Sequence, residues 1–415
     1  MSTVNQQFDV IISGGGMVGA SLAHALNGYG LSIAVIEPVM PKDATQPSYD
    51  DRAIALSYGS KCILESIGIW SELANHAEAI SRIHVSEQGQ FGFARLDARE
   101  ENVEALGFVV TAKDLGHALF SSLSDCEDVS LFCPATLKSF QINETGIEVL
   151  IDDAVTNGKE TQQTLQGKLL IAADGGFSRI RQQLDIAVKE VDYGQTAIVA
   201  NVSTQQPHDN VAYERFTSTG PVALLPMTNK RSALVYTVPT EKAADALAMS
   251  DEDFLIALQQ RFGYRLGRMQ KIGERFSYEL KLKEVTEHVK PRIALVGNAA
   301  HTVHPVAGQG FNLGIRDVAV IAEQIIQASK AGMDPGSMSV LEQYAAQRRK
   351  DQQSVMKATD TMVRLFSNEW LPVKLARNLG ILSVDMLPGV RHTLSRFAMG
   401  MAGRQSRLSR GLRLG

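Results

Sequence analysis

The sequence predicts an α/β fold in which a Rossmann-type dinucleotide-binding domain is interrupted by an antiparallel-sheet lobe and followed by a helical C-terminal segment. Three stretches carry that prediction. The apolar run Phe8, Val10, Ile11, Ile12 meets Gly14-Gly15-Gly16-Met17-Val18-Gly19 and then an apolar run from Ala20 to Leu26, the strand, turn and helix of a phosphate-binding unit. Late in the chain, Ile293 to Val296 enters GNAAHTVHPVAGQGFNLGIRD, Gly297 to Asp317, a further strand, loop and helix start. Between Tyr193 and Leu282, short β-rich runs separated by turn residues indicate an antiparallel sheet. The boundaries that follow are 1–190 with 283–345 for the dinucleotide domain, 191–282 for the inserted substrate lobe and 346–415 for the helical region.

Composition sets the frame. A chain of 415 residues, 44% hydrophobic and 21% charged, can bury a sizeable core without staples. A formal net charge of −4 argues against a nucleic-acid binder, which needs a basic surface. The three cysteines, Cys62, Cys126 and Cys133, show no CxxC spacing, which favours a reducing compartment and inert thiols over disulfides or a metal site. The first residues are polar and no apolar run reaches the ~18 residues of a membrane span. The expectation is a cytoplasmic protein, at most peripheral at the inner face of a membrane.

Each element has a local reason. Gly14 permits the tight turn, Gly16 lets backbone approach a pyrophosphate, and Gly19 lets helix and strand pack closely. The strand Ser32 to Ile36 ends in Glu37, placed to accept ribose hydroxyls. Arg52, beside the apolar run Ala53 to Leu56, needs a partner: a dinucleotide pyrophosphate is one, the neighbouring Asp50 and Asp51 the other. Gly59 to Ile67 reads as a helix, Arg82 to Ser86 and Leu106 to Val110 as strands, and Leu115, Leu119 and Leu123 as a helix face. Val129 to Leu150 alternates as strands do. Lys168 to Ala173 is a third buried strand ending in Asp174 and Gly175, where Asp174 serves a cofactor or simply caps a helix. In the lobe, Thr196 to Val202, Val211 to Phe216, Val222 to Pro226 and Arg231 to Val238 read as strands and Asp251 to Phe262 as a helix.

In the late stretch, the free N–H groups of a helix start, reachable because Gly308 and Gly310 lack side chains, favour an anion such as a reduced flavin ring. His301 and His304 lie here too, each a candidate base but more often a structural donor. The last residues, from Arg391, interleave six arginines with apolar side chains and no acid. Such a segment lies on an anionic lipid surface, docks on an acidic partner or remains solvated.

GGGMVG, DGGFSRIR and GNAAHTVHPVAGQGFNLGIRD, in that order over nearly the whole chain, resemble the FAD-dependent aromatic hydroxylases with the p-hydroxybenzoate hydroxylase fold. DDRAIALS, ERFTSTGPVALLPM around Phe216, and YAAQRRKD resemble the ubiquinone-biosynthesis hydroxylases within that class, most closely those acting on 2-polyprenyl-6-methoxyphenol. The resemblance implies non-covalent FAD, with Gly14, Gly15, Gly16, Met17, Val18 and Gly19 at the pyrophosphate, Glu37 at the adenosine ribose and Arg52 at the phosphates. It implies that Asp174 and Gly175 serve both FAD and NAD(P)H, and that Asn298, Pro305, Gly308, Gln309, Gly310, Phe311 and Asn312 hold the ribityl chain and ring. Asn298 departs from the aspartate usual there, losing a charge while keeping an acceptor oxygen. The implied reaction is hydroxylation of a polyprenylated phenol by molecular oxygen through a flavin hydroperoxide, with Phe216, Leu225, Pro226 and Pro305 lining the substrate side. Candidate partners are a ubiquinone-biosynthesis complex, a membrane surface contacted peripherally and a second copy of the chain, and the sequence does not fix the oligomeric state. The alternatives are hydroxylation at another ring position and a non-catalytic FAD-binding scaffold. No residue is assigned as the catalytic base.

Overall fold

A computed structural model describes residues 6–40, 52–153, 161–302, 309–366, 370, 377, 380 and 383–415. The first sheet is organised about the strand Gln6–Ser13, which pairs in parallel with Ile33–Ile36 on one side and Thr161–Ala172 on the other. Val129–Phe132 extends the sheet beyond Ile33–Ile36, and Ile293–Leu295 beyond Thr161–Ala172, both in parallel. Residues 10–12 and 169–172 and the strands Ile33–Ile36 and Ile293–Leu295 are buried on both faces, which is why they read as unbroken apolar runs, whereas the edge strand Val129–Phe132 is largely exposed. One face packs on the helices Met17–Leu26, Ala112–Ser121 and Gln309–Lys330 through Val10, Ile12, Leu22, Leu119, Ile315 and Ile321. Phe8, Ile11, Leu170 and Leu295 fill the other face, under the strands Ala135–Ile142 and Ile147–Asp153.

The second sheet runs in the order His301–Thr302, Phe276–Val285, Val188–Thr204, Arg231–Pro239, Gly220–Met227, Val211–Thr217, Arg82–Glu87, Phe93–Asp97, with Met269–Ile272 also against Val188–Thr204. It is antiparallel except where Val211–Thr217 lies parallel to Arg82–Glu87. The lobe expected over 191–282 is therefore larger: the hairpin of residues 82–97 joins its edge, and His301–Thr302 pairs from the other side. Alternation conceals such membership, because an edge hairpin has the same period wherever it pairs. Helix Asp251–Phe262, with Ser250 Oγ accepting from Asp253 N, buries Phe254, Leu258 and Phe262 against one face of this sheet. The small sheet of Ala53–Ser57, Gly107–Thr111 and Glu78–Ile80 packs toward the other.

Residues from Arg391 on are in part docked on the protein and in part exposed. Pro388–Ala398 is a helix, Met399 is buried beside Leu96 and Leu106, and Leu408 and Leu414 belong to the main core. Arg404, Arg410 and Arg413 keep their charges at the exposed surface. Part of the amphipathic pattern thus docks onto the protein's own core, while Leu412 and the preceding Met386, Leu387 and Val390 are exposed. No helix among the described residues is long and apolar enough to cross a membrane.

Candidate functional site

Three strands of the first sheet, Gln6–Ser13, Thr161–Ala172 and Ile293–Leu295, deliver their carboxyl ends to one place. Gly14, at φ +103°, carries no Cβ because one there would sit 2.4 Å from the Ala173 carbonyl oxygen. At Gly19 a Cβ would come within 1.8 Å of the Gly14 oxygen, so the close approach of helix and turn demands glycine. Val18 lies between the first and the late loops: Cβ atoms built at Gly297 and at Gly314 would each come within 3.0 Å of its Cγ2. Helix Met17–Leu26 starts with no side-chain cap and no acid in its first turn, which leaves its N–H donors to an anion.

Glu37 is buried, and its two oxygens accept from Gly15 N at 2.7 Å and Val39 N at 3.0 Å. Burial pushes its pKa up, while the Val39 and Gly15 N–H groups pull against that rise. Asp174 Oδ2 accepts from Arg179 N at 2.9 Å, as a helix-start acceptor, whereas Oδ1 is buried with no partner. Gly175, at φ +82°, and Gly310 face open space where a Cβ would meet nothing within 4 Å. Arg181 links the loops, donating to Ala299 O and Gly176 O, each at 2.8 Å. An uncapped helix start, an orphaned carboxylate oxygen and glycines bordering open space are what a dinucleotide with ribityl hydroxyls requires, so the residues fit FAD.

The late stretch is built on a buried charge cluster that the sequence reading missed. Asp317 Oδ2 accepts from Gly297 N at 2.9 Å and His301 Nε2 at 2.7 Å, and Oδ1 from Arg348 Nε at 2.6 Å and Gln352 Nε2 at 3.0 Å. Burial alone would raise this carboxyl, but His301 and Arg348 outweigh it and hold it well below the usual carboxylate range. His301 is thereby a structural donor. Asn312 is also turned inward, its Oδ1 accepting from Ser57 N and Ser60 Oγ and its Nδ2 donating to Ala55 O, all at 2.7 Å. Its side chain ties the helix start of Gln309–Lys330 to the Ala53–Ser57 strand. Asn298 is exposed in the turn after Ile293–Leu295, and Gly310 and Phe311 are half-buried in the first turn of that helix. Pro305, Gly308 and His304 lie outside the described residues, as does the side chain of Gln309.

A cavity of about 600 Å³ opens between the Ala53–Ser57 strand and the inner face of the second sheet, walled by Ala55, Val199, Leu225, Ala233, Val235 and Phe276 among others. Arg52, expected on the cofactor phosphates, lies in this wall with its guanidinium 4.8 Å from the centroid of the Tyr278 ring. Pairing of Ala53–Ser57 with Gly107–Thr111 carries it beside the second lobe. Of the expected substrate residues, Leu225 lines the cavity. Pro226 does not, because successive strand residues face opposite ways and it points with Val222 and Leu224. Phe216 is buried further along the sheet, opposite Glu87 and Pro221, outside the wall.

One acid on the cavity-side face, on the strand Val211–Thr217 beyond the cavity wall, escaped the sequence reading. Glu214 pairs with Ala223, which pairs with Val235, Val199 and Phe276 in turn, so it shares the cavity-side row of the sheet. Its carboxyl has no hydrogen bond or ion pair among the described residues, and burial pushes its pKa to about 7. A charged residue amid the alternating apolar positions of ERFTSTGPVALLPM was the available signal.

Comparison with known proteins now fixes the class. The family model described as "FAD binding domain" matches residues 7–359, so the chain belongs to that family of flavoproteins. The fold is that of p-nitrophenol 4-monooxygenase PnpA from Pseudomonas putida, at TM-score 0.78 and 17% identity over 96% of this chain and 99% of that one. PqsL from Pseudomonas aeruginosa superposes at TM-score 0.75 with 20% identity, covering 91% of this chain and 100% of that one. Within the family, the ubiquinone hydroxylase UbiL of Rhodospirillum rubrum is 38% identical over 98% of this chain and 93% of its own length. The human mitochondrial ubiquinone biosynthesis monooxygenase COQ6 is 29% identical over 94% of this chain and 92% of its own length. The chain is a member of the ubiquinone-hydroxylase family of flavoprotein monooxygenases, enzymes that use FAD and NAD(P)H.

Proposed function

We propose that this enzyme hydroxylates the aromatic ring of a polyprenylated phenol in ubiquinone biosynthesis, with 2-polyprenyl-6-methoxyphenol as its substrate. The observation that carries this reading is the cavity, apolar along its middle at Val199, Leu225, Ala233, Val235 and Phe276 and polar toward Ser203, where Arg231, Lys271 and Glu274 stand. Its walls follow strands of the second sheet from Tyr278 and Ala197 to Ser203, six residues or about 20 Å at strand rise. Small side chains, Ala53, Ala55, Ala197 and Ala233, leave its width open. A slot of that shape suits a ring bearing an isoprenoid tail, each buried methylene contributing ~0.8 kcal/mol.

In this reading Gly14 to Gly19 hold the FAD pyrophosphate, Glu37 the adenosine ribose, and Asp174, Gly175 and Asn298 the ribityl side. Pro305 and residues 308–312 hold the ring. When bound, the flavin carries electrons from NAD(P)H and activates oxygen. The chain's own part is to orient the phenol, exclude water and manage its proton. The Asn312–Ala55 hydrogen bond joins the ring-side helix start to the cavity wall, which supports a substrate ring at the Arg52 and Tyr278 end. Arg52 stabilises negative charge on the phenol oxygen at that end.

The test is product analysis. Flavin-loaded protein given NADPH, ¹⁸O₂ and 2-prenyl-6-methoxyphenol should release a product with one labelled ring oxygen, and gene deletion should cause 2-polyprenyl-6-methoxyphenol to accumulate. NADPH oxidation indifferent to every phenol supplied, or an unaltered quinone profile after deletion, refutes the assignment.

A further inference from the structure

The opposite face of the second sheet carries a feature that the reaction does not use. The strands Arg82–Glu87, Phe93–Asp97 and Val211–Thr217 and the turn after helix Asp251–Phe262 enclose a recess of about 220 Å³. Arg82, Arg95 and Arg265 line it over a floor of His84, Phe93 and Tyr213. The floor is aromatic throughout, with the His84 ring 5.5 Å from Phe93 and 5.8 Å from Tyr213.

Two independent observations single this recess out. The first is like charge that Asp385 only partly balances. Among the described residues Arg82, Arg215 and Arg265 have no carboxylate partner, and Arg95 has only Asp385 at 3.7 Å. Arg215 stands behind the recess with its Nε buried and unpartnered, and burial together with Arg265 pulls its pKa down. The second is His84, 8% exposed, lining the recess with a buried Nε2 that has no partner. Burial and the charges of Arg265, Arg95 and Arg215 push this imidazole down to about 4, against a weak opposing pull from Asp385. A neutral ring carrying its proton on Nε2 is a hydrogen-bond donor waiting for an acceptor. Clustered guanidinium groups with a buried donor at their centre match a multiply charged oxyanion, since a single carboxylate would leave most of the charge unbalanced.

We propose that this recess binds a phosphoryl group, presented by a small phosphate ester or by an anionic lipid headgroup, with Arg95, Arg265 and Arg82 as its cationic wall and His84 Nε2 as the donor beneath. The inference is independent of the reaction assigned above. Pyrophosphate titrated calorimetrically into the full-length, FAD-saturated protein, in which the flavin occupies the other phosphate site, should bind saturably at one site and raise the melting temperature. The double variant Arg95→Gln with Arg265→Gln should bind at least about tenfold more weakly, as expected for two charge-assisted hydrogen bonds. Arg265→Lys should retain part of the affinity, while Arg404→Gln, on another surface, should change nothing. The His84 imidazole resonances should move on binding in the wild type and stay put in the double variant. Flotation with phosphatidylglycerol vesicles separates the two sources: arginine-dependent capture by vesicles with feeble pyrophosphate binding points to the headgroup, the reverse to a soluble ester. No saturable binding of either probe, or binding undiminished in the double variant, overturns the proposal.

Discussion

Asp317→Asn is the substitution that most directly interrogates how the late loop is held. The wild-type carboxylate receives four donors, from Gly297, His301, Arg348 and Gln352. Asparagine offers one acceptor oxygen in place of two and turns its own N–H₂ toward two of those donors. Breaking a buried ion pair on one side costs about 3–5 kcal/mol, and because Arg348 keeps its pair with Asp351 the lower end applies. With ~2.1 cal/mol/K of unfolding entropy per residue, 415 residues give roughly 0.9 kcal/mol/K, so the melting temperature should fall by about 3–4 °C. Loss of the Gly297 anchor should also weaken FAD. Because the folded carboxyl titrates below its unfolded value, its contribution is whole above about pH 4 and is lost only as the pH falls through the folded value. The deficit should therefore be constant between pH 6 and 8 and shrink in acid. Thermal denaturation followed by flavin release reads both effects. A variant within 1 °C of wild type that also holds FAD within twofold would refute the structural role given to this cluster.

Three other outcomes follow from named residues. Glu214→Gln should stabilise the protein at neutral pH. A carboxyl raised to about 7 contributes stability below pH ~4.5 that is lost as the pH rises to about 7, at most roughly 3 kcal/mol, and the amide has no such loss; melting curves at pH 5 and 8 check this, and a variant no more stable than wild type at pH 8 refutes it. Gly19→Ala would place a methyl 1.8 Å from the Gly14 oxygen, so FAD retention after gel filtration should be lost or the protein should fail to fold. Ala233→Phe narrows the cavity, and should raise KM for a long-tailed phenol about tenfold or more while sparing a tail-free one; equal effects on both would remove the cavity from tail recognition.

The parts of the fold legible in the sequence are those set by local rules. Gly14-Gly15-Gly16-Met17-Val18-Gly19 and its flanking strands, the Asp251–Phe262 helix and the lobe's strands all announce themselves by glycine placement or periodicity. What stayed hidden depends on contacts between distant residues. Nothing near Asp317 indicates that Arg348 and Gln352, a helix away, will share its two oxygens, and nothing near Arg52 shows that Tyr278 will receive it. Strand parity decided Pro226 against Leu225, and a slip of one residue in an expected register is enough to reverse such a pair. Periodicity found the apolar residues of the C-terminal segment, but only the packing of Leu408 and Leu414 said which surface they serve.

Val18, lodged between Gly297 and Gly314, has a consequence for biogenesis. At ribosomal rates of roughly 5–20 residues per second, the first helix exists for some 14–56 seconds before the loop that closes over it has been made. Until then the nascent first domain lacks one wall, and its apolar surfaces await a strand and a helix from beyond the inserted lobe. Flavin capture is on this account a late event in synthesis, and a supply of free cofactor matters most at the moment the polypeptide nears completion.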